Sequence, residues 1–218
     1  QMLPEEDGLS PYAASATTFN AGYELVPGAT VSIAWTELAE RDGLLGAQGA
    51  GVLSLDGDAT TQSATLGLSL DMPHRFTVGA SMTRGYTEET GFENSIFALT
   101  GGGALSSAWE LATVRNGVLG DADRVRLSLA QPLHVEDGAL EMRMLGVLNR
   151  DTGELGTVTQ FVPLGGANRP YVAEVLYAAP LFDGQSELTS FSRAETNTRA
   201  ANAGIVEYSI GGSFRYMF

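Results

Sequence analysis

Residues 204–218 read GIVEYSIGGSFRYMF, and this stretch decides the fold. Its alternate positions on one side are mostly apolar: Val206, Tyr208, Ile210, Phe214, Tyr216 and Phe218. The positions between them are mostly small or charged: Glu207, Ser209, Gly211, Ser213 and Arg215. Because successive side chains of a strand point to opposite faces, the pattern predicts a β-strand with one apolar and one polar face. At about 15 residues, the strand is longer than those of most globular sheets.

The same alternation recurs along the chain, for example over residues 18–25, 64–71, 76–83 and 125–130. Turn signals separate the runs: Pro27-Gly28, Asp56-Gly57-Asp58, Gly120-Asp121, Asp137-Gly138, Asp151-Thr152-Gly153, Gly165-Gly166 and Asp183-Gly184. With weaker runs near 47–57, 155–163 and 186–196, the sequence predicts about twelve strands, with ten as the alternative. Residues 1–12 are interpreted as an N-terminal extension or linker and residues 13–218 as one β domain.

Composition narrows the class of protein. Charged residues make up 17% of the 218 residues, below the usual quarter, and 27 are glycine. Apolar residues never run long enough for a membrane-spanning helix, but alternating barrel strands would give a mean hydropathy near the observed +0.02. A net charge of −14 argues against a nucleic-acid partner, and the absence of cysteine excludes disulfides and thiolate metal sites.

The faces opposite the apolar rows are rich in Gly, Ser, Thr and single charges, which is typical of a barrel lumen. Short links alternate with longer ones such as residues 86–102, as in barrels with tight periplasmic turns and larger outer loops. The sequence therefore predicts an all-β fold, a closed antiparallel transmembrane β-barrel of the bacterial outer membrane. Phe214, Tyr216 and Phe218 would be the signal read by the barrel assembly machinery, and outer-membrane lipid would surround the barrel.

An ordered series of motifs in the second half of the chain resembles the C-terminal barrel of subtilisin-like autotransporter proteases of alphaproteobacteria. The motifs are Arg115-Asn116-Gly117-Val118-Leu119-Gly120, Asp123-Arg124, Ala130-Gln131-Pro132-Leu133, Thr152-Gly153-Glu154, Ala179-Pro180-Leu181, Phe191-Ser192-Arg193 and Tyr208-Ser209-Ile210-Gly211. The resemblance implies a translocator that anchors an upstream passenger, a subtilisin-like protease, and helps to export it. The subtilisin motifs of such a passenger are absent here, autotransporter barrels are usually longer, and residues 1–12 do not read as the helix that threads their lumen.

Charged residues that fall on the polar faces are the candidate site. Those predicted to face the lumen are Glu110, Arg126, Glu141, Arg143, Glu174, Glu207 and Arg215, and Glu187 and Arg193 follow the same pattern. An arginine or lysine at the lipid midplane costs about 2–4 kcal/mol, so such residues should lie inside. We expect either a salt-bridged interior or a polar conduit, and the two interpretations are compatible.

No catalytic, cofactor or metal set is predicted. His74 is expected in a solvated turn and His134 near a strand end, and neither has an evident serine and carboxylate in register. Glu5-Glu6-Asp7 and Glu136-Asp137 lack the spaced acidic series of a calcium loop, and Gly101-Gly102-Gly103 is expected to be a flexible loop.

Three alternatives remain open at this point. A stand-alone porin-like or structural barrel would have no passenger. A soluble secreted β-sandwich would hold the apolar rows in its core. A barrel enzyme would depend on His134, so His134→Ala should abolish its activity.

Deletion of Phe218 should impair insertion, because the assembly signal would lose its last aromatic residue. The level of the chain in washed membranes measures this effect, with Phe218→Tyr as the control that keeps the aromatic ring. Equal membrane levels of the deleted and intact chains would contradict the prediction.

Overall fold

A computed structural model describes residues 13–41, 43–45, 47–48, 58–91, 95–166, 168–182, 185–197 and 204–216. Its strands are β1 (Ala13–Val26), β2 (Ala29–Arg41), β3 (Gly43–Leu44), β4 (Ala47–Gln48), β5 (Asp58–Met72), β6 (Phe76–Thr87), β7 (Phe97–Asn116), β8 (Arg124–Asn149), β9 (Glu154–Pro163), β10 (Tyr171–Leu181), β11 (Ser186–Thr196) and β12 (Val206–Tyr216). The predicted all-β antiparallel fold is confirmed. None of the described residues belongs to a helix of the length and apolarity that crossing a membrane requires.

Ten of the strands form one antiparallel sheet in the order β1-β2-β5-β6-β7-β8-β10-β11-β12, with β9 beside β8. The short strands β3 and β4 pair with each other. β8 is long enough to pair with two partners in succession. Its first part pairs with β10 and its second part, Ala139–Asn149, pairs with β9. β9 and β10 therefore act together as one crossing of the sheet, interrupted near residues 164–170.

The connections differ in length at the two ends of the sheet. One end, the short-turn end, holds the links at residues 27–28, 73–75, 117–123 and 182–185. The opposite end, the long-loop end, holds the longer links at residues 42–57, 88–96 and 197–205. The predicted turns at Pro27-Gly28, Gly120-Asp121 and Asp151-Thr152-Gly153 are confirmed. Asp56-Gly57 and Asp183-Gly184 lie outside the described residues.

Two predicted interruptions are wrong, because the strands continue through them. β8 runs on through Asp137-Gly138, and β7 runs on through Gly101-Gly102-Gly103. All four glycines have positive φ, between +79° and +146°, and the β7–β8 register shifts between Thr100 and Leu105. A side chain on Gly103 would collide with the carbonyl oxygen of Thr87. The glycines thus form a β-bulge within a continuous strand. Glycine adopts positive φ easily, so it is favoured at bulges as well as at turns.

Only one small apolar cluster is buried in the described part of the chain. It lies at the long-loop end and contains Leu44, Ala59, Leu99 and Ala104, with Leu45, Val135, Leu140 and Leu164 packed against it. Buried Glu40 joins this region to the β3 hairpin, since its carboxylate accepts a hydrogen bond from Leu45 N at 2.8 Å. The rest of the sheet is held by its backbone hydrogen bonds and not by a large apolar core.

Asp123 organises the turn between β7 and β8. Its carboxylate accepts hydrogen bonds from the backbone N–H groups of Val118, Leu119 and Gly120 at 2.6–3.0 Å, and from the Tyr177 hydroxyl at 3.0 Å. Burial raises the pKa of Asp123, but these four donors outweigh it and hold the pKa below its ordinary value of 3.8.

Because the pKa of Asp123 is lowered on folding, its charged form stabilises the fold at neutral pH, and this contribution is lost as the pH falls through the folded-state pKa. Asp123→Asn should therefore lower the denaturant midpoint at pH 7 and reduce the further loss on acidification to pH 3. The fully exposed Asp121 provides the control, as Asp121→Asn. An unchanged pH dependence in the Asp123 variant would contradict this role.

Candidate functional site

The sheet has two chemically distinct faces that continue from strand to strand. Directly paired residues share a face, and the chain of pairs from Phe19–Trp35 to Ala194–Tyr208 defines the apolar face. Its members are mainly Phe19, Tyr23, Val31, Ile33, Trp35, Leu66, Leu68, Val78, Met82, Trp109, Leu111, Leu127, Leu129, Tyr171, Val175, Tyr177, Tyr208, Ile210, Phe214 and Tyr216. The positions between them define the polar face.

Exposure is inverted relative to a soluble sheet. On β7, Leu111 is 49% exposed, while Glu110 and Ala112 on the polar face are half-buried. The same alternation holds on β6, β8 and β10, and Ile210 on β12 is 85% exposed. Lower exposure on the polar face is the pattern expected of a sheet that curves toward that face. A soluble sandwich would do the reverse and enclose its apolar rows.

Aromatic residues lie near both ends of the apolar face. The group toward the long-loop end contains Phe19, Trp35, Tyr86, Trp109, Tyr171 and Tyr208. The group toward the short-turn end contains Tyr23, Phe76, Tyr177, Phe214 and Tyr216. Phe19 stacks on Trp35, and Trp109 contacts Tyr171, with ring centroids 6.2 Å apart in both pairs. This distribution matches two interfacial girdles around an apolar band.

Charges on the apolar face keep to its ends. Arg115 lies over the Phe76 ring at 5.1 Å, in the group toward the short-turn end. Glu37 follows Trp35 toward the long-loop end, and Arg84 lies two positions inside Tyr86. A long arginine side chain at such a position can extend its charge toward water.

On β7 to β12 the polar face carries a ladder of charged residues, with ion pairs among those on β7, β8, β10 and β11. Arg126 contacts the carboxylate of Glu110 on one neighbouring strand and that of Glu174, at 3.8 Å, on the other. Arg193 pairs with Glu195, and the members of the ladder are Glu110, Arg124, Arg126, Glu174, Glu187, Arg193, Glu195, Glu207 and Arg215. Four arginines against five glutamates leave the ladder close to neutral.

On β1 to β6 the middle of the polar face is neutral and rich in hydroxyl groups. Directly paired threonines hydrogen bond across strands, Thr18 with Thr36 at 2.9 Å and Thr65 with Thr83 at 2.8 Å. Small residues such as Gly67 line an open groove of about 290 Å³ that reaches Glu110 and Arg126. The polar face thus consists of a hydroxyl half and a charged half.

The sequence-predicted site residues divide into two sets. The register places Glu110, Arg126, Glu174, Glu207 and Arg215 on the polar face, within the ladder. Glu141 and Arg143 lie instead on the β8–β9 hairpin, where they pair with each other at 2.8 Å.

Two of the three predicted assembly-signal residues lie at the end of β12. Phe214 and Tyr216 are exposed on the apolar face of β12, and Phe218 lies outside the described residues. Sequence reasoning missed Arg124 and Glu195 as ladder members. The period-two spacing could have found both, since each lies two positions from a recognised charge, Arg126 and Arg193 respectively.

A second polar cluster surrounds the bulge between β7 and β8. Ser107 donates a hydrogen bond to Glu136 and accepts one from Gln131 at 3.2 Å, while Arg169 pairs with Glu136 at 2.6 Å. The nearby His134 ring contacts the Gly166 carbonyl oxygen at 3.1 Å. Ser107 and Gln131 are buried, and the ion pair of Glu136 with Arg169 and the contact of His134 with Gly166 connect this part of the β7–β8 pairing to the segment between β9 and β10.

Removal of one ladder partner should cost measurable stability. We expect a double-mutant cycle of Arg126→Met and Glu110→Gln to give a coupling energy of about 1 kcal/mol, the upper range for partly exposed pairs. The pair Arg41–Asp58 is mostly exposed at 3.9 Å and serves as the control, with coupling near zero. Unfolding in lipid vesicles measures both cycles, and equal coupling in the two pairs would contradict a structural role for the ladder.

The described residues contain no group of three His, Asp or Glu side chains placed to hold a metal ion. No protein-family model, curated protein or solved structure matches the chain.

Proposed function

We propose that this chain forms the wall of an outer-membrane β-barrel that anchors an upstream passenger and helps to export it. The observation that carries the proposal is the inverted polarity of the sheet: its large apolar side chains lie on the more exposed face and its ion pairs on the less exposed one. An apolar outer surface with a polar interior is the arrangement found in bacterial outer-membrane barrels.

The energetics favour lipid over water around the apolar face. Apolar surface left in water forgoes about 25 cal/mol per Å², and this face presents rows of half-exposed leucines and aromatics on nearly every strand. Within a bilayer the same rows are solvated by lipid tails, while the antiparallel ladder satisfies backbone groups inside the sheet.

The spacing of the two aromatic groups supports a membrane-spanning band. They lie six positions apart on β10, eight on β12 and ten on β6. At about 3.4 Å per residue this is roughly 20–34 Å along the strands. Strand tilts of about 35–45° reduce it to roughly 14–28 Å along the barrel axis, compared with an apolar band of about 25 Å.

Two features favour an anchor over an open diffusion pore. The charged half of the polar face mixes arginines with glutamates, and Arg124, Arg126 and Arg193 each pair with a glutamate, so this half does not present one sign of charge to a permeating ion. In addition, the apolar cluster around Leu99 covers the long-loop end of the polar face near Ala59 and Ala104. The passenger itself is supported by the motif resemblance, from Arg115-Asn116-Gly117 to Tyr208-Ser209-Ile210.

Carbonate extraction and heat-modifiable gel mobility test the proposal directly. We expect the chain to stay in carbonate-washed membranes and, after detergent extraction, to migrate differently with and without heating. Release by carbonate together with identical mobility would overturn the membrane assignment and make the apolar rows the inside of a soluble sandwich.

A charge placed on either face should distinguish lipid from water. Leu111→Arg should destabilise the barrel in lipid vesicles by about 2–4 kcal/mol, the cost of arginine near the midplane. The next residue, Ala112, lines the polar groove, so Ala112→Arg should reduce the free energy of unfolding by less. If both substitutions stayed within about 0.5 kcal/mol, as at an ordinary water-exposed surface, the apolar face would not be in lipid.

A further inference from the structure

The two edge strands of the sheet run in the same direction. β1 runs from the long-loop end to the turn at Pro27-Gly28, and β12 also starts at the long-loop end, after residues 197–205. This follows from parity, because the sheet has nine crossings, both edges included, when β9 and β10 count as one, and the first and last of an odd number of antiparallel strands run the same way. In the described residues, β1 is hydrogen bonded only to β2, and β12 only to β11.

Direct closure between these edges would break the rule that the rest of the sheet follows. All described pairings are antiparallel, and strands adjacent in the main sheet follow one another along the chain. A β1–β12 pairing would be parallel. Leaving both edges open is unfavourable in lipid, where unpaired N–H and C=O groups find no water.

We propose that an odd number of further amphipathic strands, from polypeptide that precedes residue 1 in the same protein, completes the barrel between β12 and β1. The inference rests on the proposed membrane function. The strand next to β1 would run from the short-turn end to the long-loop end and connect to β1 there, which continues the up-and-down order of the described strands.

The side chains on the two faces of β1 predict the composition of the strand that would pair with it. All of Ala13–Val26 is exposed, with Phe19 and Tyr23 on the apolar face and uncharged Thr18 and Asn20 on the polar face. A partner must therefore alternate apolar and small polar residues. Residues 1–12, QMLPEEDGLSPY, contain two prolines and three carboxylates without alternation. Their composition is that of a connection, so the pairing strand belongs to sequence before them.

Disulfide crosslinking in the full-length protein tests the edges, because these 218 residues contain no cysteine. The control pairs come from the register: Asn20→Cys with Ala34→Cys, and Thr189→Cys with Ser213→Cys. The test pairs join the edges: Asn20→Cys with Ser213→Cys, and Asn20→Cys with Ser209→Cys. We expect the control pairs to form a disulfide in membranes and the test pairs to form none. A disulfide requires Cα atoms within about 7 Å of each other, and strands inserted between β12 and β1 would hold the test pairs farther apart.

A photoreactive phenylalanine at Asn20 identifies the neighbour of β1. The expected product is an intrachain crosslink to a peptide before residue 1. A crosslink to β12 from this probe, or disulfide formation in the test pairs, would overturn the proposal in favour of parallel closure. An intermolecular product would overturn it in favour of a partner chain. Carbonate extraction of the same membranes is scored separately, so loss of the membrane assignment is distinguishable from loss of this inference.

Discussion

The alternation of side chains along a hydrogen-bonded ladder is the constraint on which the rest of this structure depends. A slip of one residue between two strands would move every leucine of one strand to the polar face and every charge to the apolar face. The continuous faces therefore require correct register at each pairing. Tight turns such as Pro27-Gly28 help to fix the register at one end of the sheet. At residues 101–103 the glycine bulge of β7 accommodates a local shift in the β7–β8 register. Register thus links local backbone chemistry to the polarity of the whole sheet.

Stability has an unusual source in this fold. Leu99 and its few buried neighbours form too small a core to hold a domain of this size, so hydrogen bonds between strands carry the structure. On the polar face, paired threonines connect β1 with β2 and β5 with β6, and paired charges connect β8 with β7, β10 and β11. Arg126 is central to the charged half, because it contacts carboxylates on both neighbouring strands. The two halves achieve the same result, satisfaction of polar groups, by hydroxyl pairs in one and by ion pairs in the other.

Much of this arrangement could be predicted from sequence, because period-two patterns report directly on strand faces. They identified the all-β antiparallel fold, and they singled out charges such as Glu110 and Glu174 that the register brings to one face. They failed where a residue type has two structural uses. Asp137-Gly138 and Gly101-Gly102-Gly103 look like turns, but within a longer ladder positive φ produces bulges, and only pairing partners separate the two cases. Glu141 and Arg143 show a second limit: alternation assigns a face but not a position along a strand, so their location on the β8–β9 hairpin could not be predicted.

The up-and-down connectivity has a kinetic consequence. Each new strand can form on the one before it across a turn such as residues 117–123, so the sheet can grow by successive zippering of hairpins. Loop-closure entropy rises slowly with loop length, and joining edges that lie 200 or more residues apart costs at least roughly 3 kcal/mol more than closing a seven-residue turn. Adding successive hairpins therefore has a small entropic cost, and pairing the two edge strands that close the barrel has the largest. An assembly factor that holds the first and last strands near each other would speed folding without adding any contact to the finished sheet.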